Sequence, residues 1–288
     1  MNSRERMIRA IRYQSPDNVP VAPYLAGEYS RKLVMGTDFD SAYAYIRHRC
    51  DWIQLFFKGK LSPEEIIEKH KGEYFLARGF SSPYARCKEK VSIGDFLLAL
   101  KDNPGKVKEL CERNLGICLK ETEDTSKMGM DGIWLEETLC SSDVISPEDY
   151  LKFAFPYEKK LITAIKDMGL IAILYFCGNV IPLLPYINEL EPDALAVEEN
   201  KKNIKLDIVE IRNLLGKGIC LFGNLDTVGL LLKGDKKLIE AELRRQIKLA
   251  DSKGGFIAGT GSPVPYATSP ETIDYFVETV RRLERERV

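Results

Sequence analysis

The second half of the chain alternates short apolar runs with longer amphipathic stretches. DGIWLEE (131–137), LIAILYFC (170–177), DALAVEE (193–199), GICLFGN (218–224) and GFIAGTG (255–261) have the length of strands. Each is followed by a segment with helical spacing: 146–169, 179–190 with a proline irregularity, 204–216, 226–252 with a break at Gly234, and 269–286. Two of these helices carry strong start signals, Ser146-Pro147 with Glu148 and Asp149 behind it, and Ser269-Pro270. A serine cap followed by proline at the first helical position suits the free N–H groups of a first turn. Gly169 closes the first of them.

The strand-length runs show little period-2 alternation. They are apolar throughout, as expected of parallel strands covered on both faces. The first half is less regular, with expected strands at 19–25, 51–57 and 73–80 and expected helices at 2–12, 38–49, 92–101 and 104–128. Eight strands in βα order predict a (β/α)₈ TIM barrel spanning 1–288 as one domain.

Composition narrows the classes of function. With 42 basic and 43 acidic residues the net charge is −1, which gives no electrostatic footprint for nucleic acid or an anionic membrane. No segment approaches the apolar length of a membrane span, and the N-terminus lacks the apolar core of a secretory signal. The seven cysteines are scattered and form no CxxC pair, so reduced thiols and a cytoplasmic location are expected. Cys118, on a helical pattern, reads as a small buried hydrophobe.

In a barrel of this kind the chemistry sits at the C-terminal ends of the strands. Those ends supply Tyr24 or Glu28, Phe57, Glu136 and Glu137, Tyr175 and Cys177, Glu198 and Glu199, Asn224, and Thr260 to Ser262. Neighbouring residues on a strand face opposite ways, so one member of each Glu pair faces the mouth. Any one of these polar residues could equally cap the helix that follows. His48 and His70 both read as helix-surface residues, which argues against a Ser-His-Asp or Cys-His engine. Acid/base work then falls to Glu137 or Glu199. FGNLD (222–226) and GTGS (259–262) bring backbone N–H groups to the mouth, a weak anion-binding signal, because tight turns need glycine anyway.

The segments SRERMIRAIRYQSPDNVPVAP (3–23), GMDGIWLEETLCSSDVISPEDYLKFAFPY (129–157), FCGNVIPLLPYI (176–187), FGNLDTVGLLLKG (222–234) and GGFIAGTGSPVPYATSPETI (254–273) resemble the uroporphyrinogen decarboxylase superfamily, in its cobalamin-dependent methyltransferase branch. Residues 58–128 match poorly. The resemblance implies a (β/α)₈ barrel acting on a small molecule, with cobalamin carried by a separate corrinoid protein as partner. It also implies a zinc ion held by a His-x-Cys pair and by a second Cys in a Gly-Cys turn. Here the pair reads Tyr175-Phe176-Cys177 and the turn Gly261-Ser262, so two of the three strong ligands are replaced by poor ones. A standard zinc centre is therefore not expected, and the remaining metal alternative is Cys177 with Glu137, with Glu199 as a further candidate ligand.

On the methyltransferase reading, Cys177 is a ligand or reactive thiol. Glu137 and Glu199 transfer protons or ligate, Asn224 orients the substrate, and Tyr24, Glu28, Tyr175 and Ser262 line its site. A barrel that has lost its metal and only binds a ligand or a corrinoid protein is the alternative. Decarboxylation of a porphyrinogen is disfavoured, because Tyr24 and Glu28 of Tyr24-Leu25-Ala26-Gly27-Glu28 stand where that activity needs arginines.

Overall fold

The computed structural model describes residues 1–25, 27–33, 41–56, 63–201, 204–250 and 254–286. Among these, seven parallel strands form one sheet in sequential order: β1 (Trp52–Leu55), β2 (Phe75–Ser81), β3 (Gly132–Glu137), β4 (Ile171–Phe176), β5 (Ala194–Val197), β6 (Cys220–Phe222) and β7 (Phe256–Ile257). Helices connect successive strands, as parallel pairing requires.

Side-chain alternation along the strands explains the continuous apolar runs. Trp134, Ile171, Ile173, Tyr175, Ala194, Ala196, Cys220 and Phe222 join one buried cluster, on the concave face. Ile133, Leu135, Ala172, Leu174, Phe176, Leu195, Val197 and Leu221 join a second, packed beneath the helices. The sheet curls so far that Trp52 of β1 meets Phe222 of β6 with ring centroids 5.8 Å apart, and Trp134 of β3 lies against both. Bulky rings from alternate strands fill the interior of such a sheet.

The expected strand at 19–25 is reduced to a single parallel bridge, Val21 to Ala258. Its backbone also accepts from the Asp51 N–H at 2.8 Å, so the segment lies between the outer strands β7 and β1. Asp51 anchors this end of the sheet. Its wholly buried carboxylate takes Arg6 at 2.6 Å, the Val21 N–H at 2.8 Å and Ser3 Oγ at 2.9 Å. A buried charge persists where its partners are this complete.

Helix boundaries depart from the expected ones for local reasons. The stretch 146–169 divides into Pro147–Phe153 and Phe155–Asp167, with Pro156 opening the second helix. Ser146 and Ser269 cap as expected, accepting from the N–H of Asp149 and Thr272. The segment 179–190 is a 3₁₀ turn, Ile181–Leu183, followed by the helix Leu184–Leu190. The segment 226–252 breaks at Gly234 into a π-helical turn, Thr227–Leu231, and the helix Lys236–Ile247. A helix at Glu28–Leu33 lies outside the expected ones, and the helix that carries His70 runs from Pro63 to His70. His48 and His70 are buried rather than on a helix surface: Tyr29 and Asp274 bond the first ring, and Tyr74 packs edge-on against the second. Cys118 is buried as expected.

Candidate functional site

Strand parity decides which residues reach the concave rim. On β3, Trp134 faces inward, so Glu136 faces inward and Glu137 outward. Glu136 accepts a hydrogen bond from the Tyr24 hydroxyl. Tyr24 packs edge-on against Trp134 at 5.5 Å and Tyr175 at 5.7 Å, and stacks on Phe56 at 6.2 Å. Tyr175 stacks on Trp134 at 4.9 Å. Burial, and then the Glu136 carboxylate, hold the Tyr24 hydroxyl well above its ordinary range, so it is a proton donor here.

Cys177 follows the inward Tyr175 by two positions and packs against the same inner cluster. It is half-buried, whereas the other six cysteines are buried. Burial, and then the nearby Glu198 carboxylate, push the thiol up to about 12, against a small opposing pull from Lys201. Glu198 pairs with Lys201 and accepts from the Gly178 N–H at 2.9 Å. The rim thus gathers a neutral thiol, two acids and one lysine over an aromatic floor.

Opposite them lies the turn at 260–262. The Tyr175 hydroxyl donates to the Gly261 carbonyl at 2.9 Å, and Ser262 Oγ donates to Glu199 at 2.8 Å. Thr227 donates to the same carboxylate at 3.0 Å. Burial raises the pKa of Glu199 in spite of these bonds. Tyr175, Cys177, Glu199 and Ser262 are therefore brought together, with Tyr24 tied in through its N–H to Thr260 Oγ1 at 3.0 Å.

Three expected site residues lie elsewhere. Glu137 is wholly buried on the convex face, bonded by Ser82 Oγ and, at 3.0 Å, by the Leu139 N–H. It cannot share a metal with Cys177, which lies on the other side of the sheet. The Asn224 amide is engaged by backbone, donating to the carbonyls of Glu198 at 3.0 Å and Leu206 at 2.9 Å, so it ties loops together rather than orienting a ligand. Glu28 is exposed at the start of its helix. Phe57 and Ala26 lie outside the described residues. Glu136 takes the rim place expected of Glu137, and Glu198 stands beside Cys177 while Glu199 binds the 260–262 turn. Alternation counted from Trp134 would have found the first of them.

The donors present do not fit a zinc centre of the His/Cys/Cys kind. Tyr175 and Ser262 offer hydroxyls where that set needs imidazole and thiolate, and both hydroxyls are committed to internal acceptors.

The curled parallel sheet with a polar rim defines an α/β fold of the barrel type. The family model for uroporphyrinogen decarboxylase (URO-D) matches residues 81–283, and the chain belongs to that family. The chain is 29% identical over 117 residues to the methylcobamide:CoM methyltransferase MtbA of Methanosarcina mazei, covering 41% of this chain and 33% of that protein. It is 30% identical over 141 residues to a uroporphyrinogen decarboxylase of Trichodesmium erythraeum, covering 48% and 37% respectively. A methylated-thiol–coenzyme M methyltransferase of M. mazei is 21% identical over 218 residues, 76% of this chain and 56% of that protein. The matches thus span roughly a third to just over half of these curated relatives. The fold is that of a solved methyltransferase from Methanosarcina mazei, with a TM-score of 0.84 at 15% identity over 98% of this chain and 99% of that one. No described helix is long and apolar enough to cross a membrane.

Proposed function

We propose that the protein is a methyltransferase-like enzyme that acts on a small molecule at the concave rim of a single, closed (β/α)₈ barrel. Bonding of the 19–25 segment to both β7 and β1 supports the closed form. The observation that carries the functional reading is the placement of the half-buried Cys177 thiol within one rim that also holds Tyr24–Glu136 and Glu198–Lys201. Two relatives named as methyltransferases of thiol chemistry support the reaction class. A thiol acceptor must lose its proton before it attacks a methyl group. Glu136 and Glu198 are the rim's bases for that proton, and Lys201 is the cation that steadies the thiolate formed. The aromatic floor of Tyr24, Trp134 and Tyr175 excludes water and positions the acceptor. The methyl group would come from a corrinoid protein, so cobalamin enters only with that partner, and neither nucleic acid nor a membrane is involved.

The test is transfer of methyl from methylcobalamin, free or on a corrinoid protein, to a small thiol, followed by the corrinoid spectrum. Transfer by the native chain and its loss in Glu136→Gln and Cys177→Ala are expected. No transfer by the native chain from either donor overturns the reading.

A second reading, a barrel that binds a ligand or corrinoid protein without chemistry, is favoured by the internal commitment of the Tyr175 and Ser262 hydroxyls. It predicts binding that survives Cys177→Ala with no turnover to lose. Porphyrinogen decarboxylation is disfavoured, because Tyr24 bonds an acid where the substrate's carboxylates would need arginine. Release of carbon dioxide from uroporphyrinogen would establish it.

A further inference from the structure

A second polar cluster lies on the convex face, outside the rim. Glu137 ends β3, Cys140 follows in the loop, and Glu158 sits in the first turn of the helix Phe155–Asp167. All three side chains are wholly buried. One ligand-type atom from each lies within 4.8 Å of the others. The edge of a tetrahedral zinc shell is about 3.5 Å, so modest rotations close the set around one ion.

Apart from the proton the two carboxyls share, the partners of these groups are all neutral donors. Ser82 and the Leu139 N–H serve Glu137, Tyr150 donates to Glu158 at 2.7 Å, and Cys140 lies 3.9 Å from Glu158. None of these hydrogen bonds comes from Lys, Arg or His. Buried acids so placed either keep a proton or take a metal. A separate observation favours a missing ligand. The Tyr84 hydroxyl is wholly buried and has no hydrogen-bond partner. After burial itself, the groups that act on this oxygen most are Cys140 and Glu137, so it faces the cluster. An oxygen completing an ion's shell would supply the acceptor that Tyr84 lacks.

We propose that Glu137, Cys140 and Glu158 form a binding site for a divalent cation of the zinc class, pinning the end of β3 to the start of the helix Phe155–Asp167. One thiolate with two carboxylates selects zinc or cobalt over magnesium or calcium. Binding displaces the thiol proton of Cys140 and the proton held between the two carboxyls, and both leave to solvent as the site closes. The ion would be structural, because its ligands lie on the convex side of the sheet, between β3 and the helix Phe155–Asp167.

The test is metal analysis of untagged protein grown with zinc and purified without chelator, beside the same protein refolded with zinc. About one zinc per chain is expected. It should be lost in Cys140→Ser and in Glu158→Gln and kept in Cys177→Ala. Cobalt substituted into the native chain should show thiolate-to-metal charge-transfer absorption that persists in Cys177→Ala, which decides the matter even where Cys140→Ser fails to fold. Native protein free of zinc after both treatments overturns the proposal and leaves a proton or a trapped water in the cluster. Zinc that leaves with Cys177→Ala but stays with Cys140→Ser also overturns it, and places the metal at the rim. The methyl-transfer assay reads independently of all these outcomes.

Discussion

The Cys177 N–H donates to the Glu137 carbonyl at 2.9 Å, yet the two side chains lie on opposite faces of the sheet. Backbones this close are joined by the β3–β4 ladder, while the pleat sends one side chain to the rim and the other beneath the helices. The two sites should therefore be energetically independent. Glu137→Ala strands the Ser82 hydroxyl and the Leu139 N–H in a buried space and should cost about 2–4 kcal/mol. Cys177→Ala removes a half-buried thiol and should cost under about 1 kcal/mol. Urea denaturation of both single variants and the double variant should give sums that agree within about 0.5 kcal/mol. A coupling above about 1 kcal/mol would mean that the two side chains share a pocket after all.

Cys177 should be the thiol that reagents reach first and should nevertheless react slowly. It is the one half-buried cysteine of seven, but burial and Glu198 hold its thiol near 12. Only the thiolate is nucleophilic, so alkylation of the native protein at pH 8 should lag far behind a free thiol. The rate should keep climbing as pH is raised through 9 and 10, with no plateau at the ordinary thiol value. Mass-spectrometric mapping of the labelled site against pH checks this. Early labelling with a plateau near pH 8.5 would mean that a cation, Lys201 or a metal, activates the sulfur in solution.

Gly261 is required by the turn that joins Tyr175 to Glu199. A Cβ built there would collide with both the backbone nitrogen and the carboxylate of Glu199. Gly261→Ala must push back that carboxylate and break the Ser262–Glu199 bond of 2.8 Å. The expected cost is about 2 kcal/mol, as for an overpacked core position, seen as a lower melting temperature. Ser262→Ala removes the bond without the collision and should cost about 1 kcal/mol. If the two variants melt alike, the turn has room that the geometry denies.

Much of the sheet was legible because strands buried on both faces leave uninterrupted apolar runs: six of the eight expected runs contain the observed strands, and β2 runs one residue past a seventh. The run at 19–25 contributes only the Val21 bridge. Its two prolines, Pro20 and Pro23, lack the N–H donors a ladder needs. The rim was half legible. Cys177, Tyr175, Ser262 and Tyr24 are placed by landmarks of the family, but the choice between Glu136 and Glu137 turns on parity alone. Register settles it, since Glu136 pairs with the inward Tyr175. The partners of Asn224 and Glu137 come from distant loops and helices, and no local pattern announces them.

His48 shows the same blindness to distant partners, and its correction yields a pH dependence. The stretch around it is polar, which suggests a helix surface, but Tyr29 and Asp274 enclose the ring. A neutral imidazole protonated at Nδ1 satisfies both, donating to Asp274 at 2.7 Å and accepting from the Tyr29 hydroxyl at 3.1 Å. Burial lowers its pKa below the ordinary value, and the Asp274 bond only partly opposes this. With the folded value depressed, the unfolded chain binds the proton more readily once pH drops below about 6.5. Stability from this residue is thus complete above that value and falls as pH declines toward 5, by at most about 1.4 kcal/mol per pH unit for one proton. The raised carboxyls Glu137, Glu158 and Glu199 slope the opposite way, so the total curve is not diagnostic. The difference between the native chain and His48→Gln isolates the histidine. Urea midpoints should converge as pH falls from 7.5 to 5.5, with the native chain losing its advantage. Parallel curves across that range would show that the ring titrates alike in the folded and unfolded chain.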